Sequence, residues 1–76
     1  MSEVTEQITI ERNEITVKGY YHNERFVFHC ENEPAVILAG GTLLWYYHGE
    51  LHNERGPAII WYNGKVEYRK YGVMYI

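Results

Sequence analysis

His29-Cys30-Glu31-Asn32-Glu33-Pro34-Ala35-Val36-Ile37 is followed, 23 residues later, by His52-Asn53-Glu54-Arg55-Gly56-Pro57-Ala58-Ile59-Ile60. The two segments are one motif written twice. His, Glu, Pro, Ala and Ile recur in phase, and beyond them Gly41 falls on Gly64, Trp45 on Tyr68 and Gly49 on Gly72. A fixed period in the twenties is the mark of a stacked repeat. In such a stack each unit buries its apolar side against its neighbour.

Each copy reads as two short strands around a glycine corner. Asn63-Gly64 is a strong two-residue hairpin signal, because both residues tolerate positive φ. Gly40-Gly41 occupies the same place one copy earlier. Counting from two-residue turns pairs Trp61 with Val66 and Ile59 with Tyr68, and pairs Leu38 with Leu43 and Val36 with Trp45. These eight apolar or aromatic residues would share one face, each worth ~1.5–3 kcal/mol when buried. A slip of one residue would turn half of them outward. Gly49 and Gly72 follow a strand in each copy and are expected in turns of positive φ. Pro34 and Pro57 stand where strands begin, where a missing N–H does least harm.

Outward from the repeat, residues 1–28 read as an N-terminal hairpin and a degenerate unit. Gln7-Ile8-Thr9-Ile10 and Ile15-Thr16-Val17-Lys18 alternate as strands do. With Arg12-Asn13 at the turn, Ile10 faces Ile15 and Ile8 faces Val17, so all four share one face. Asn23-Glu24 reads as a further turn, and Arg25 to His29 as a strand. Apolar positions alternate at period two and glycine punctuates, so no helix is expected. The fold class is therefore all-β, an antiparallel meander of stacked β-hairpins in a single twisted sheet. It forms one domain over 1–76, with repeat copies at 29–51 and 52–76.

Seventy-six residues make a small domain, with marginal stability and a need for a staple or a partner. The single Cys30 excludes an internal disulfide, and together with the acidic, polar N-terminus it suggests a reducing cytoplasm. No apolar run approaches the ~20 residues of a membrane span, so a membrane role is not expected. The net charge is −3. Residues 1–41 carry seven carboxylates and three bases, for −4, and residues 42–76 carry three and four, for +1. No basic face for nucleic acid emerges from that distribution. Eight Tyr, two Trp and two Phe in so short a chain suit a pleated surface, and they also suit an interface.

Four histidines, His22, His29, His48 and His52, lie near Cys30 and invite a zinc reading. His29 and His52 are one position in two copies, so a structural role explains them without metal: hydrogen bonding to a neighbouring turn and stacking on an aromatic ring. His29 and Cys30 are adjacent in a strand and point to opposite faces, which argues against a base and its nucleophile. Gly40-Gly41 lacks the lysine and following helix of a phosphate loop. No cofactor, metal or catalytic residue is expected, and the chain reads as a non-enzyme.

The run Trp45-Tyr46-Tyr47-His48-Gly49-Glu50-Leu51-His52-Asn53-Glu54-Arg55-Gly56-Pro57-Ala58-Ile59-Ile60-Trp61-Tyr62-Asn63-Gly64 resembles the MORN repeat, in its variant with a His-x-x-x-Gly-Pro-Ala core found in phages, large DNA viruses and some bacteria. The resemblance covers residues 29–75 and not residues 1–28. Glu33 replaces the glycine of the core in the first copy. The family implies a stack of 23-residue hairpins and a non-enzymatic module for protein contact or oligomerisation. As a phage or viral protein it would bind and modulate a host protein in the host cytoplasm, and its small size and repeat type suggest inhibition as a special case. Tyr46, Tyr47 and Tyr62, with Arg69 as a polar contact, are the expected partner-binding residues. Two alternatives stay open. The edge Val73-Met74-Tyr75-Ile76 invites a homodimer, and the rings invite a small ligand such as a nucleotide.

Overall fold

The computed structural model describes residues 6–75; Met1 to Thr5 of the polar N-terminus and Ile76 of the expected C-terminal edge lie outside it. All regular structure among the described residues is antiparallel β. The strands are β1 (Ile8–Arg12), β2 (Ile15–His22), β3 (Arg25–Phe28), β4 (Val36–Ile37), β5 (Leu43–Leu44), β6 (Tyr46–Tyr47), β7 (Glu50–Leu51), β8 (Ile59–Ile60), β9 (Val66–Glu67), β10 (Arg69–Lys70) and β11 (Val73–Met74). Where one sheet is expected, the hydrogen bonding divides. A seven-stranded open sheet runs β1-β2-β4-β5-β8-β9 with β3 also on β2, and β6-β7 and β10-β11 form separate two-stranded ribbons.

Equivalent hydrogen bonds reveal three copies of one unit. Lys18 N–H donates to Ala35 O, and Trp45 N–H donates to Ala58 O, each at 2.7 Å. The carbonyl oxygens of Lys18, Trp45 and Tyr68 accept in turn from the N–H groups of His29, His52 and Tyr75. Lys18, Trp45 and Tyr68 thus hold one position, and His29, His52 and Tyr75 another. The unit is a pair of hairpins sharing a middle strand, at 8–29, 35–52 and 58–75. Its second hairpin always closes on two residues of positive φ: Asn23 and Glu24 (52° and 66°), His48 and Gly49 (50° and 87°), Tyr71 and Gly72 (51° and 84°). Such turns match the right-handed twist of the strands they join. Adjacent ribbons are tied by Gly49 N–H to Phe28 O (2.9 Å) and Gly72 N–H to Leu51 O (2.8 Å).

The register of the first hairpin in each copy differs from expectation. Val36 pairs with Leu44 and Ile37 with Leu43, not Val36 with Trp45 and Leu38 with Leu43. Ile59 pairs with Glu67 and Ile60 with Val66, not Ile59 with Tyr68 and Trp61 with Val66. The reason is the loop. Gly64 has φ 92° and Gly41 φ 103°, but Asn63 and Gly40 are not left-handed. Gly64 N–H reaches Trp61 O (2.9 Å) and Trp61 N–H reaches Lys65 O (2.8 Å), with the same bonds between Gly41, Leu38 and Thr42. This is a three-residue loop, a tight turn followed by one left-handed glycine. One extra loop residue slides every pair by one and dissolves the expected eight-residue face. Trp45 and Trp61 part accordingly: Trp45 lines the groove described below, and Trp61 sits opposite Lys65.

The N-terminal hairpin turns at Asn13-Glu14 (φ 55° and 65°), one residue later than expected. Ile10 therefore faces Val17 and Ile8 faces Gly19. The shift is by two in pairing, so Ile8, Ile10, Ile15 and Val17 still share a face. That face continues across the sheet as the row Ile10–Val17–Val36–Leu44–Ile59–Glu67. Val36 and Ile59 are 7% and 6% exposed, whereas Ile10, at the same position in the first unit, is 37% exposed. Burial here depends on having a neighbouring unit on the outer side. The buried apolar core is Ala35, Val36, Ala58 and Ile59, all at the joints between units. Thr42, also buried, accepts a hydrogen bond from Tyr62 N–H across the second joint (3.1 Å).

Candidate functional site

The conserved geometry of the joints comes from the repeated histidine. His29 and His52 end the third strand of their units and are buried. Each turns Nδ1 toward the left-handed turn of the next unit. His29 Nδ1 accepts from His48 N–H, and His52 Nδ1 accepts from Tyr71 N–H, both at 2.9 Å. An Nδ1 acceptor places the ring proton on Nε2. That edge faces a carboxylate two residues on: His52 Nε2 lies 3.0 Å from Glu54, and His29 Nε2 lies 3.9 Å from Glu31.

The same bonds lay the rings of adjacent units against each other. His29 stacks on His48 with centroids 4.2 Å apart and planes 23° apart. His52 lies over Tyr71 at 4.1 Å. Tyr47 bridges the pairs, 5.0 Å from His29 and 5.5 Å from His52. Tyr20 completes the row, 5.7 Å from His48, its hydroxyl hydrogen-bonded to His48 Nδ1 at 2.8 Å. Six rings thus run across all three units in the order Tyr20, His48, His29, Tyr47, His52, Tyr71.

Two cavities open along this strip. The larger, about 610 Å³, is walled by Trp45, Tyr47, His52 and Tyr71 and by the loops Cys30–Asn32 and Asn53–Arg55. Asn53 shapes the second loop: its Oδ1 accepts from Arg55 N–H (3.1 Å) and its Nδ2 donates to Pro57 O (2.9 Å). The smaller, about 320 Å³, is lined by Gln7, Tyr20, His29, Glu31 and His48. Gln7 Nε2 closes its floor by donating to His29 O at 3.1 Å. Glu31 borders both. Flat ring faces in a row, with carboxylates and amides at the rim, suit stacking and hydrogen bonding to a bound chain.

The four residues expected to bind a partner do not gather in one place. Tyr47 is at the centre of the strip. Tyr46, next to it in β6, packs on Phe28 at 5.2 Å. Tyr62, 74% exposed, stands in the loop between β8 and β9. Arg69 is engaged with Glu67 and with Gly72 O. Tyr20, His48 and Tyr71 escape a reading of the repeat because His48 and Tyr71 fill one turn position with different residue types and Tyr20 lies in a strand. The signal that finds two of them is the interval of nineteen residues from each repeated histidine to the turn it caps.

The first joint carries a pH dependence. Burial lowers the pKa of His29 from its ordinary 6.5; the nearby His48 lowers it further and Glu31 opposes. The folded chain therefore binds a proton less readily than the unfolded chain. Its stability is complete above 6.5 and falls as the pH drops through that value. Protonation also removes the Nδ1 acceptor. Urea unfolding between about pH 8 and about pH 5 should show the decline. In His29→Phe the decline should be smaller.

Comparison with protein-family models, with curated proteins and with solved structures gave no match to this chain.

Proposed function

We propose that this protein is a small non-enzymatic β-repeat module that binds another protein along its six-ring strip. The carrying observation is the strip itself: a continuous row of rings across all three units, with open cavities on it. Aromatic side chains in partly desolvated pockets are the usual anchors of protein interfaces. The resemblance of residues 45–64 to the MORN repeat, a module for protein contact or oligomerisation, supports the same reading. The single Cys30 suits a reducing cytoplasm as the place of action. The test is capture of a partner on the immobilised chain, with Tyr47→Leu as the variant. Tyr47→Leu should weaken capture about tenfold or more while circular dichroism keeps the β signature. Capture that ignores Tyr47 would overturn the reading.

Self-association is the second reading. Val73, Met74 and Tyr75 are exposed, and among the described residues β11 pairs with β10 alone. Light scattering over a wide concentration range should show a dimer that Met74→Lys dissolves. A monomer throughout would remove this reading.

A further inference from the structure

The geometry points to the groove as the seat of an arginine side chain from the partner, its guanidinium held by the Glu31 carboxylate against the aromatic wall of Trp45 and Tyr47. This rests on the reading of the strip as a protein-binding surface and names what that surface recognises. Glu31 stands where the two cavities meet. Its contact within ion-pair range among the described residues is His29 Nε2, at 3.9 Å. The neighbouring carboxylates are engaged otherwise: Glu33 is bonded to Lys18, and Glu54 meets His52 at 3.0 Å and Lys70 at 3.8 Å. Glu31 thus has only the 3.9 Å approach of His29 Nε2 at Oε2 to displace, and Oε1 is open to an incoming cation.

The rings beside it select the kind of cation. A ring face carries negative potential and attracts cations, arginine most often, because a planar guanidinium can stack while its edge stays free to hydrogen-bond. That edge matches a carboxylate in a paired, bidentate contact. Arg55 lines the same cavity from the other loop and disfavours a cation beside itself, which leaves Glu31 as the carboxylate for the guanidinium. The same charges disfavour a phosphate ligand, since two carboxylates, Glu31 and Glu54, line the cavity against one guanidinium.

The experiment is an NMR titration of the whole chain with a capped glycine–arginine–glycine peptide. A matched peptide carries citrulline, which keeps the shape of arginine without its charge. The arginine peptide should shift the Trp45 indole N–H and the Glu31 amide and bind about tenfold more tightly than the citrulline peptide. Glu31→Gln should abolish that difference, and Glu33→Gln should leave it intact. Equal binding of the two peptides, an unchanged affinity in Glu31→Gln, or no binding of the arginine peptide would each overturn the inference. A failed titration beside a Tyr47-dependent capture removes the guanidinium seat alone; failure of both experiments removes the protein-binding reading as well.

Discussion

Replacing Gly19 with alanine is expected to cost about 3 kcal/mol or more, the upper end of what overpacking does to a core. Gly19 is the residue at which β2 passes from one partner to the next. It pairs with Ile8 of β1 on one side and with Phe28 of β3 on the other. It is buried, and a Cβ built on it would overlap the Val27 carbonyl oxygen and press on the Phe26 ring. The overlap is with backbone, so no side-chain rotation relieves it; β3 must move away from β2. The first unit would then lose the strand that carries His29 to its joint. A domain of this size is held by roughly 4–11 kcal/mol in total, so the loss is a large fraction of it. Urea unfolding should show a midpoint lower by about 2 M or more. Gly40→Ala is the internal control. Nothing lies within 4 Å of its would-be Cβ and its φ is not left-handed, so its midpoint should hold or rise slightly.

His52→Phe is expected to have the second largest effect, about 2 kcal/mol, with a local signature. Phenylalanine fills the same space and can still stack on Tyr71, but it offers no acceptor to Tyr71 N–H and no partner to Glu54. The acceptor side is buried and the bond part-buried, so its loss falls within the ~1–3 kcal/mol of an unsatisfied polar group. Among the described residues the unit 58–75 is joined to the rest through this joint, so the loss should appear first as fraying of 58–75. Amide exchange at Tyr71 and Gly72 should accelerate more than exchange at Val17 or Val36. His22→Phe, on an exposed histidine outside the joints, should stay within about 0.5 kcal/mol of the parent.

The period of 23 residues carried the β architecture, because His, Pro-Ala and the turn glycines recur in phase; the copies it sets at 29–51 and 52–76 are cut differently from the hydrogen-bonded units at 35–52 and 58–75. The register was less legible. Asn63-Gly64 reads as two left-handed residues, yet only Gly64 adopts that conformation, and the loop gains a residue. Nothing in the local sequence separates these two uses of the same dipeptide. The first unit was legible only as a degenerate copy for a physical reason. Its second hairpin is longer by two pairs, which breaks the phase between Lys18 and Trp45 while keeping their hydrogen bonds equivalent. The ring strip was half legible. The repeated histidine points to a joint, but its partners His48 and Tyr71 share a position rather than a residue type. Tyr62 and Arg69 follow from an outer face counted on two-residue turns, and the three-residue loop moves that register by one.

The account depends on two imidazoles that accept backbone hydrogen bonds from the unit ahead. The most direct test is the nitrogen–nitrogen coupling measured across those bonds by NMR at a pH above 6.5. Couplings from the His48 amide to His29 Nδ1 and from the Tyr71 amide to His52 Nδ1, with the ring proton on Nε2 in both, are the predicted result. A proton on Nδ1 of either ring, or amides of His48 and Tyr71 that exchange as freely as open loop positions, would contradict it.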